Sequence, residues 1–495
     1  MTADTDQAKL FWNTRKKPLK LQERSFRAVE IIDDDTGKQA GLDKTPHNWY
    51  NKLIWGDNRQ IMSSICNQTW GRDVRLIYLD PPFFTGSNFS ISTSFVNGKD
   101  NTSYTIQTPA YRDTWKDGIS SYLQFMYERL CLVRDLLADD GSLYLHCDWH
   151  VGHYLKVMLD EIFGYENFRN EIVWFYPDTP GRTKRYFNSK HDVIFWYSKS
   201  KSFIFNADRI REEILPASKA RYRSPRVLGG RSYLGGQSAT IGKVPEDVWR
   251  IPSVKGTTIE KMRYETQKPE LLLKRIILAS SNPGDLVADF FCGSGTTAAV
   301  AEKLGRRWIT SDLSERSIQI TRKRILNIHR SHDLFDSKRK KLHHLKAKRF
   351  KVLIQEESRK KQGEDGPVSS QTVFQAPDEP GASLESPALE LETTVSNNDL
   401  FLSLTGFTPI LIPKGRGPNI EVDDSKKLLD YWAVDWNHSG NVFHNHWRSF
   451  RMPKRPDMDF TASHRYDTTG EYRIMIKAMD VFGRVITREM DVVIS

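Results

Sequence analysis

The sequence predicts an α/β doubly wound domain followed by a small all-β domain. Three observations carry this. The apolar run Val74 to Leu79 reads as a buried strand and runs straight into Asp80-Pro81-Pro82-Phe83. Leu286 to Asp312 reads as strand, glycine turn, helix, and a second strand ending in an acid. Near the far end, Glu471 to Lys477 alternates with a period of two, Asp480 to Gly483 turns the chain, and Val485 to Ile494 returns.

In chain order, Met1 to Pro46 is polar, with a basic cluster from Arg15 to Lys20, and is expected to be an arm or surface segment. Trp49 to Trp55 is a short strand ending at Gly56-Asp57, where Asp57 is placed to cap a helix from Asn58. Thr85 to about Asp117 is rich in Ser, Thr, Asn and Gly and reads as a long irregular loop, a flap over the Asp80 turn. Its Tyr104, Tyr111 and Trp115 either stack on a substrate or anchor the loop. Ser121 to Leu137 has helical spacing, Ser142 to Cys147 is a strand, and a helix follows to about Ile162. Glu171 to Tyr176 and Asp192 to Tyr197 read as an antiparallel pair at a sheet edge. Their basic connection holds Arg182, Lys184 and Arg185, which either touch phosphates or form a solvated turn.

Residues 202–262 change character, with Arg221, Arg223, Arg226 and Arg231 interleaved with Tyr222 and Tyr233. Arginine reads guanine edges and binds phosphate, so this stretch is a candidate nucleic-acid surface. Pro269 and Glu270 suit the first turn of a helix running to Ser281. A terminal core helix is expected from Ser314 to about Arg330, and a basic helical segment over 331–361. Gln362 to about Asn398, rich in Ser, Pro, Glu and Gly, reads as a disordered linker. Beyond it lies the β domain, whose Tyr431, Trp432, Trp436, Phe443 and Trp447 with His438, His444 and His446 form either a core or a partner surface.

The two turns carry the chemistry. Consecutive prolines fix two φ angles and donate nothing, so the Asp80 carboxylate and neighbouring carbonyls stand as rigid acceptors beside the Phe83 ring. That set suits an exocyclic amino group on a planar base. Gly293 and Gly295 let backbone approach a ligand, and Asp312 ends the next strand where a ribose hydroxyl would sit. The spacing lacks the third glycine of a dinucleotide fingerprint and the Gly-Lys-Ser/Thr of a phosphate loop, which favours a nucleoside without pyrophosphate.

Together these segments resemble the DPPY/F and FxGxG motifs of amino-methyltransferases, in the order of the beta class of DNA methyltransferases and similar to type III modification subunits. Gly56-Asp57-Asn58, Gly141 to Asp148, Asp160 to Gly164, Asp247-Val248-Trp249 and Thr266-Gln267-Lys268-Pro269 extend the likeness over roughly residues 45 to 325. The resemblance implies a Rossmann-like methyltransferase sheet, S-adenosyl-L-methionine as cofactor, and adenine N6 in double-stranded DNA as acceptor. It implies catalysis by Asp80, Pro81, Pro82 and Phe83 on an everted base. It also implies a cofactor site of Asp57, Thr266, Gln267, Lys268, Asp289, Phe291, Gly293, Gly295, Thr296 and Asp312, with Lys268 on the cofactor carboxylate. For Asp57 the simple capping role stays open. By the same resemblance, 202–262 is the target-recognition region. The acid at residue 80 favours adenine over cytosine N4. RNA methylation and a non-catalytic DNA-binding subunit are the remaining alternatives. A cognate nuclease, other defence-system subunits or a homodimer would be partners. Tyr466 to Tyr472 resembles the hairpin of PKD-type immunoglobulin-like sandwiches.

Composition fits this reading. The formal net charge of +11 suits a polyanionic partner. Cys66, Cys131, Cys147 and Cys292 have neither disulfide nor metal spacing, so a reducing cytoplasm is expected. His146, His150, His153 and Cys147 are not expected to bind metal, because strand neighbours face opposite sides. No apolar run is long enough to span a membrane. The expected division is 1–44 arm, 45–201 catalytic half, 202–262 insert, 263–330 cofactor half, 331–361 basic segment, 362–399 linker and 400–495 β domain.

Overall fold

A computed structural model describes residues 8–13, 15–18, 21, 23–33, 49–68, 70–96, 103–177, 183–214, 226–228, 231–233, 242–256, 258–336, 338, 340–356, 388–408, 425–452 and 457–495. The chain falls into two compact units. One comprises residues 1–23, 33–91 and 108–354, the other 24–32, 92–107 and 355–495.

Strands β1 (Phe26–Ile32), β2 (Asn51–Trp55), β3 (Val74–Leu79), β4 (Asn88–Val96), β5 (Ser103–Arg112), β6 (Leu137–Cys147), β7 (Phe168–Phe175) and β8 (His191–Ser198) come first. Then follow β9 (Arg226–Leu228), β10 (Arg231–Tyr233), β11 (Val248–Arg250), β12 (Leu286–Asp289), β13 (Arg307–Asp312) and β14 (Phe350–Gln355). The helices are α1 (Asn58–Cys66), α2 (Gly118–Leu136), α3 (Gly152–Phe163), α4 (Glu270–Ser280), α5 (Thr296–Lys303) and α6 (Glu315–Leu326).

The sheet of the first unit runs β11-β7-β8-β6-β3-β12-β13-β2-β14. All its ladders are parallel except β6–β8 and β7–β8, which confirms the antiparallel pair read from the sequence. Central strands buried on both faces need continuous apolar sequence. Leu76, Ile77 and Leu79 of β3 and Leu286, Val287 and Ala288 of β12 are each 0% exposed. From β3 the chain winds one way to β6; from β12 it winds the other way to β13. The sheet is therefore doubly wound, and its switch point lies between β3 and β12, where such sheets bind ligands. Ile77 pairs with Ala288, so the Asp80 turn and the glycine turn leave adjacent strand ends.

Two expectations are corrected. Thr85 to Asp117 is not an irregular loop: β4 and β5 make a two-stranded sheet. The basic segment 331–361 is not helical where described: after a stretch without helix, β14 adds a parallel strand beside β2. The N-terminal stretch, expected as an arm or surface segment, is held where described by side-chain contacts. Arg15 pairs with Glu161, and Trp12 packs edge-on to Tyr127 at 5.7 Å.

Segment 24–32 belongs to the second unit, where β1 pairs in parallel with β18 (Phe443–His444). Glu30 of β1 is fully buried there and accepts from Lys477 at 2.8 Å and Asn445 at 2.8 Å. The rest of this unit is β15 (Ala388–Ser396), β16 (Asp399–Thr408), β17 (Leu429–Asp435), β19 (Trp447–Phe450), β20 (Thr461–Arg465), β21 (Gly470–Asp480) and β22 (Val485–Ile494). Sheets β15-β16-β20 and β19-β17-β21-β22 share one core, which draws Leu400, Leu402 and Leu404 from one and Trp432, Ile474 and Ile476 from the other. This is a β sandwich. His438, His444 and His446 turn their Nδ1 atoms towards the buried Asp435 carboxylate, at 3.0, 3.7 and 3.2 Å. Residues 409–424, and 357–387 with most of the expected linker, lie outside the described residues.

Candidate functional site

Asp80 follows the last residue of β3, with Pro81 buried and Pro82 and Phe83 half-buried behind it. The next residue, Phe84, has φ 64°, a left-handed conformation that a bulky side chain rarely adopts. Asp113, fully buried at the foot of the β4–β5 hairpin, holds it. Its carboxylate accepts from Phe84 N (3.0 Å), Thr85 N (2.7 Å), Thr85 Oγ1 (2.9 Å) and Trp115 Nε1 (2.9 Å). Trp115 is thus an anchor of this loop.

Behind the turn stands a buried polar chain. The His146 ring lies 5.7 Å from the Phe83 ring at a 35° tilt. Its Nδ1 is 2.7 Å from Tyr78 OH and 3.9 Å from Asp80 Oδ1, and its Nε2 is 3.2 Å from Asp192 Oδ2. Tyr176 OH donates to Asp192 Oδ1 at 2.9 Å. Burial works to raise the Asp192 carboxyl, but hydrogen bonds and charge at His146 win and hold it below its ordinary value.

The second turn is built by glycine and acid. Gly295 has φ 72°, and a Cβ there would meet the Thr321 side chain at 2.6 Å, so glycine alone fits. Asp289 and Asp312, at the ends of β12 and β13, both brace the turn. Asp289 accepts from Phe291 N at 3.0 Å and Thr297 Oγ1 at 2.5 Å. Asp312 accepts from Gly293 N and Ser314 N, each at 2.9 Å. Burial pushes Asp289 up to about 7; its two hydrogen bonds oppose this, and the charges of Asp80 and Asp312 add to it. Burial likewise raises Asp312, against its backbone donors. Asp57 does cap α1, accepting from Arg59 N at 2.8 Å, and its other oxygen is 3.4 Å from Arg129 of α2.

Lys268 joins the two turns. Its Nζ lies 2.5 Å from Asp80 Oδ2, and its carbonyl accepts from Thr296 Oγ1 at 3.1 Å. The sequence expectation set this lysine on a cofactor carboxylate; the structure sets it on Asp80. Gln267 is likewise occupied internally, accepting from Met262 N at 2.7 Å and donating to Glu260 O at 2.6 Å. It therefore positions the loop before Lys268. Thr266 contacts Tyr111, whose hydroxyl is raised by burial and by the nearby Asp80 charge.

Beneath Lys268 sits a group that sequence reasoning missed. Glu270, in the first turn of α4, pairs with Lys303 of α5 at 2.6 Å and with Arg324 of α6 at 2.9 Å. Arg324 also donates to Thr296 Oγ1 at 2.9 Å and Ser294 O at 3.2 Å. The two cations overcome burial and hold Glu270 at about 2. One helix start is thereby locked to the glycine turn.

The rim suits a nucleoside with an amino-acid tail. Asp312 is a half-buried acid that accepts from two backbone donors, Gly293 N and Ser314 N. Asp57 keeps a carboxylate 35% exposed, and Phe291 offers a half-buried ring, 6.1 Å from Phe125. Of the candidate DNA contacts, Lys184 and Arg185 are exposed. The backbones of Arg226 and Arg231 lie in the β9–β10 ladder, while Arg182, Arg221 and Arg223 lie outside the described residues.

Comparison with known proteins bears on this geometry. Residues 74–323 match the family model described as DNA methylase, N6_N4_Mtase. The type II methyltransferase M.EcaI of Enterobacter cloacae is 31% identical over 320 residues, spanning 53% of this chain and 67% of that protein. The DNA adenine methyltransferase YhdJ of Escherichia coli (strain K12) is 31% identical over 253 residues, spanning 51% of this chain and 76% of that one. The solved M1.HpyAVI–SAM complex aligns at 20% identity and a TM-score of 0.35, over 55% of this chain and 98% of that one.

Proposed function

Because the chain belongs to the N6/N4 DNA methylase family, we propose that it methylates the N6 amino group of adenine in double-stranded DNA, on a base turned out of the helix. The protein is an S-adenosylmethionine-dependent DNA methyltransferase. The observation that carries the finer reading is the Lys268 bridge, which ties the Asp80 acceptor to the glycine turn.

In this reading Phe83 stacks on the everted base. Asp80 Oδ1 and the Pro81 carbonyl accept the two amino hydrogens while Lys268 holds Asp80 Oδ2. Those bonds draw the nitrogen towards tetrahedral geometry and localise its lone pair, so catalysis is positioning and electrostatics. S-adenosylmethionine supplies an electrophilic methyl group on a sulfonium. When bound it would give that methyl to the amino nitrogen and keep the S–CH3 electron pair as a neutral thioether, while Asp80 Oδ1, already accepting an amino hydrogen, would take the nitrogen's surplus proton and pass it to solvent. Asp312 would hold the ribose, Asp57 the charged tail, and Phe291, Gly293 and Gly295 the base and backbone side of the cofactor. Asp289, Gln267 and Thr296 would serve that site by bracing it.

Adenine is favoured over cytosine N4 by the acid at residue 80 and by the name of the relative YhdJ. Arg221, Arg223, Arg226 and Arg231 would read the target, and Arg182, Lys184 and Arg185 would bind phosphate. No helix among the described residues is long and apolar enough to cross a membrane. Action in the cytoplasm, beside a cognate nuclease or as a homodimer, completes the proposal. The test is mass analysis of nucleosides from DNA and RNA incubated with the protein and labelled cofactor. Label in N6-methyldeoxyadenosine is expected. Label in N4-methyldeoxycytidine, in RNA alone, or nowhere rejects the reading.

A further inference from the structure

We propose that Phe187 is the wedge that enters the DNA base stack in place of the everted adenine. The inference rests on the methyltransferase reading above and names a residue that reading does not use.

Phe187 is 97% exposed, the highest value among the large apolar side chains of the described residues, and its neighbour Tyr186 is 75% exposed. A bare phenyl ring in water contributes nothing to the fold. The two rings follow Lys184 and Arg185, also exposed, in the β7–β8 connection. The tip has local order: Thr183 Oγ1 accepts from Arg185 N at 3.3 Å and Tyr186 N at 3.4 Å, and donates to Tyr186 O at 3.3 Å.

Topology places this tip on the catalytic rim. β8 opens at His191, and its Val193 pairs with Cys147 at the carboxyl end of β6, itself beside β3. Asp192 touches His146, which is 3.9 Å from Asp80. Phe187 precedes His191 by four residues, a reach of at most about 14 Å. Neighbouring strands are about 4.8 Å apart, so β8 starts about 10 Å from β3. The tip therefore leaves the sheet at the strand end that carries Asp192, within reach of the Asp80 turn.

Turning a base out leaves a gap between two apolar base faces, and the cost is unstacking. A planar ring restores the stacking, and apolar side chains serve as wedges in other DNA-binding proteins. Lys184 and Arg185 would hold the flanking phosphates and bring the ring into register.

The test compares wild type, Phe187→Ala and Phe187→Trp on two duplexes carrying the mapped methylation site. In one the target adenine is paired; in the other it faces an abasic position, so eversion costs little. A wedge predicts at least about a tenfold fall in kcat/KM for Phe187→Ala on the paired duplex and less than about twofold on the other. It also predicts a weaker 2-aminopurine fluorescence rise at the target, and recovery in Phe187→Trp. Equal losses on both duplexes, or none, overturn the wedge. A change in oligomeric state with unchanged kinetics would make the tip a protein contact and overturn it too. Absence of any wild-type transfer to DNA overturns the parent reading, and the wedge with it.

Discussion

Glu270 and Asp289 are buried to 4% and 3% exposure on the two sides of one glycine turn, and the protein treats them in opposite ways. Glu270 has two cations and is held at about 2. Asp289 has two neutral donors and two further acids nearby, Asp80 and Asp312, and is pushed up to about 7. The brace beneath the site is electrostatically closed. Asp289 is left with neutral donors and no cation, a condition that a cationic methyl donor would relieve. Strain and unbalanced charge belong where ligands bind, and balance belongs in what holds the site still.

Removing one partner tests the brace most severely. Glu270→Ala leaves two buried cations uncompensated and is expected to cost about 3–5 kcal/mol of stability. Urea unfolding reads it, and a loss under about 1 kcal/mol would mean that the triad is not the structural half of the contrast. Asp80→Ala tests the rim. Transfer should fall by at least about a hundredfold, as for loss of one preorganised acceptor, with cofactor affinity and unfolding midpoint nearly unchanged. If calorimetry showed cofactor binding lost instead, the role given to Asp80 would be wrong.

What the sequence made legible were local signatures. Two prolines after a buried run, glycines before a helix, and acids at strand ends each write themselves within a dozen residues. The doubly wound order followed from them, because two distant turns had to meet at one switch point. Long-range pairings left no such mark. Lys268 and Asp80 are 188 positions apart, and Asp113 sits in a Ser/Thr-rich stretch that read as loop. Lys303 and Arg324 lie in the last turns of their helices, where cations are ordinarily solvated, and only tertiary packing turns them inward onto Glu270. β14 was missed because the lysine-rich run with Leu342, Leu345 and Phe350 satisfied a helical template. Phe350 and Val352 are in fact buried in a strand. β1 was hidden by its polar surroundings, although Val29, Ile31 and Ile32 are β-branched.

The pH-dependent effect is the one that separates the two carboxylates most directly. Asp289 has its folded value raised above the ordinary 3.8, so the stability tied to its proton is present below about pH 4 and lost as pH rises through about 7. Glu270 has its folded value lowered from 4.5, so its contribution is present above that pH and lost as pH falls towards 2. Asp289→Asn keeps an acceptor for Phe291 N and removes the titration. Relative to wild type it should be nearly neutral near pH 4 and more stable by on the order of 4 kcal/mol at pH 8. Unfolding midpoints of the two proteins across pH 4–8 measure this. A difference that stays flat with pH would show that Asp289 is ionised throughout and that the rim carries no stored charge penalty.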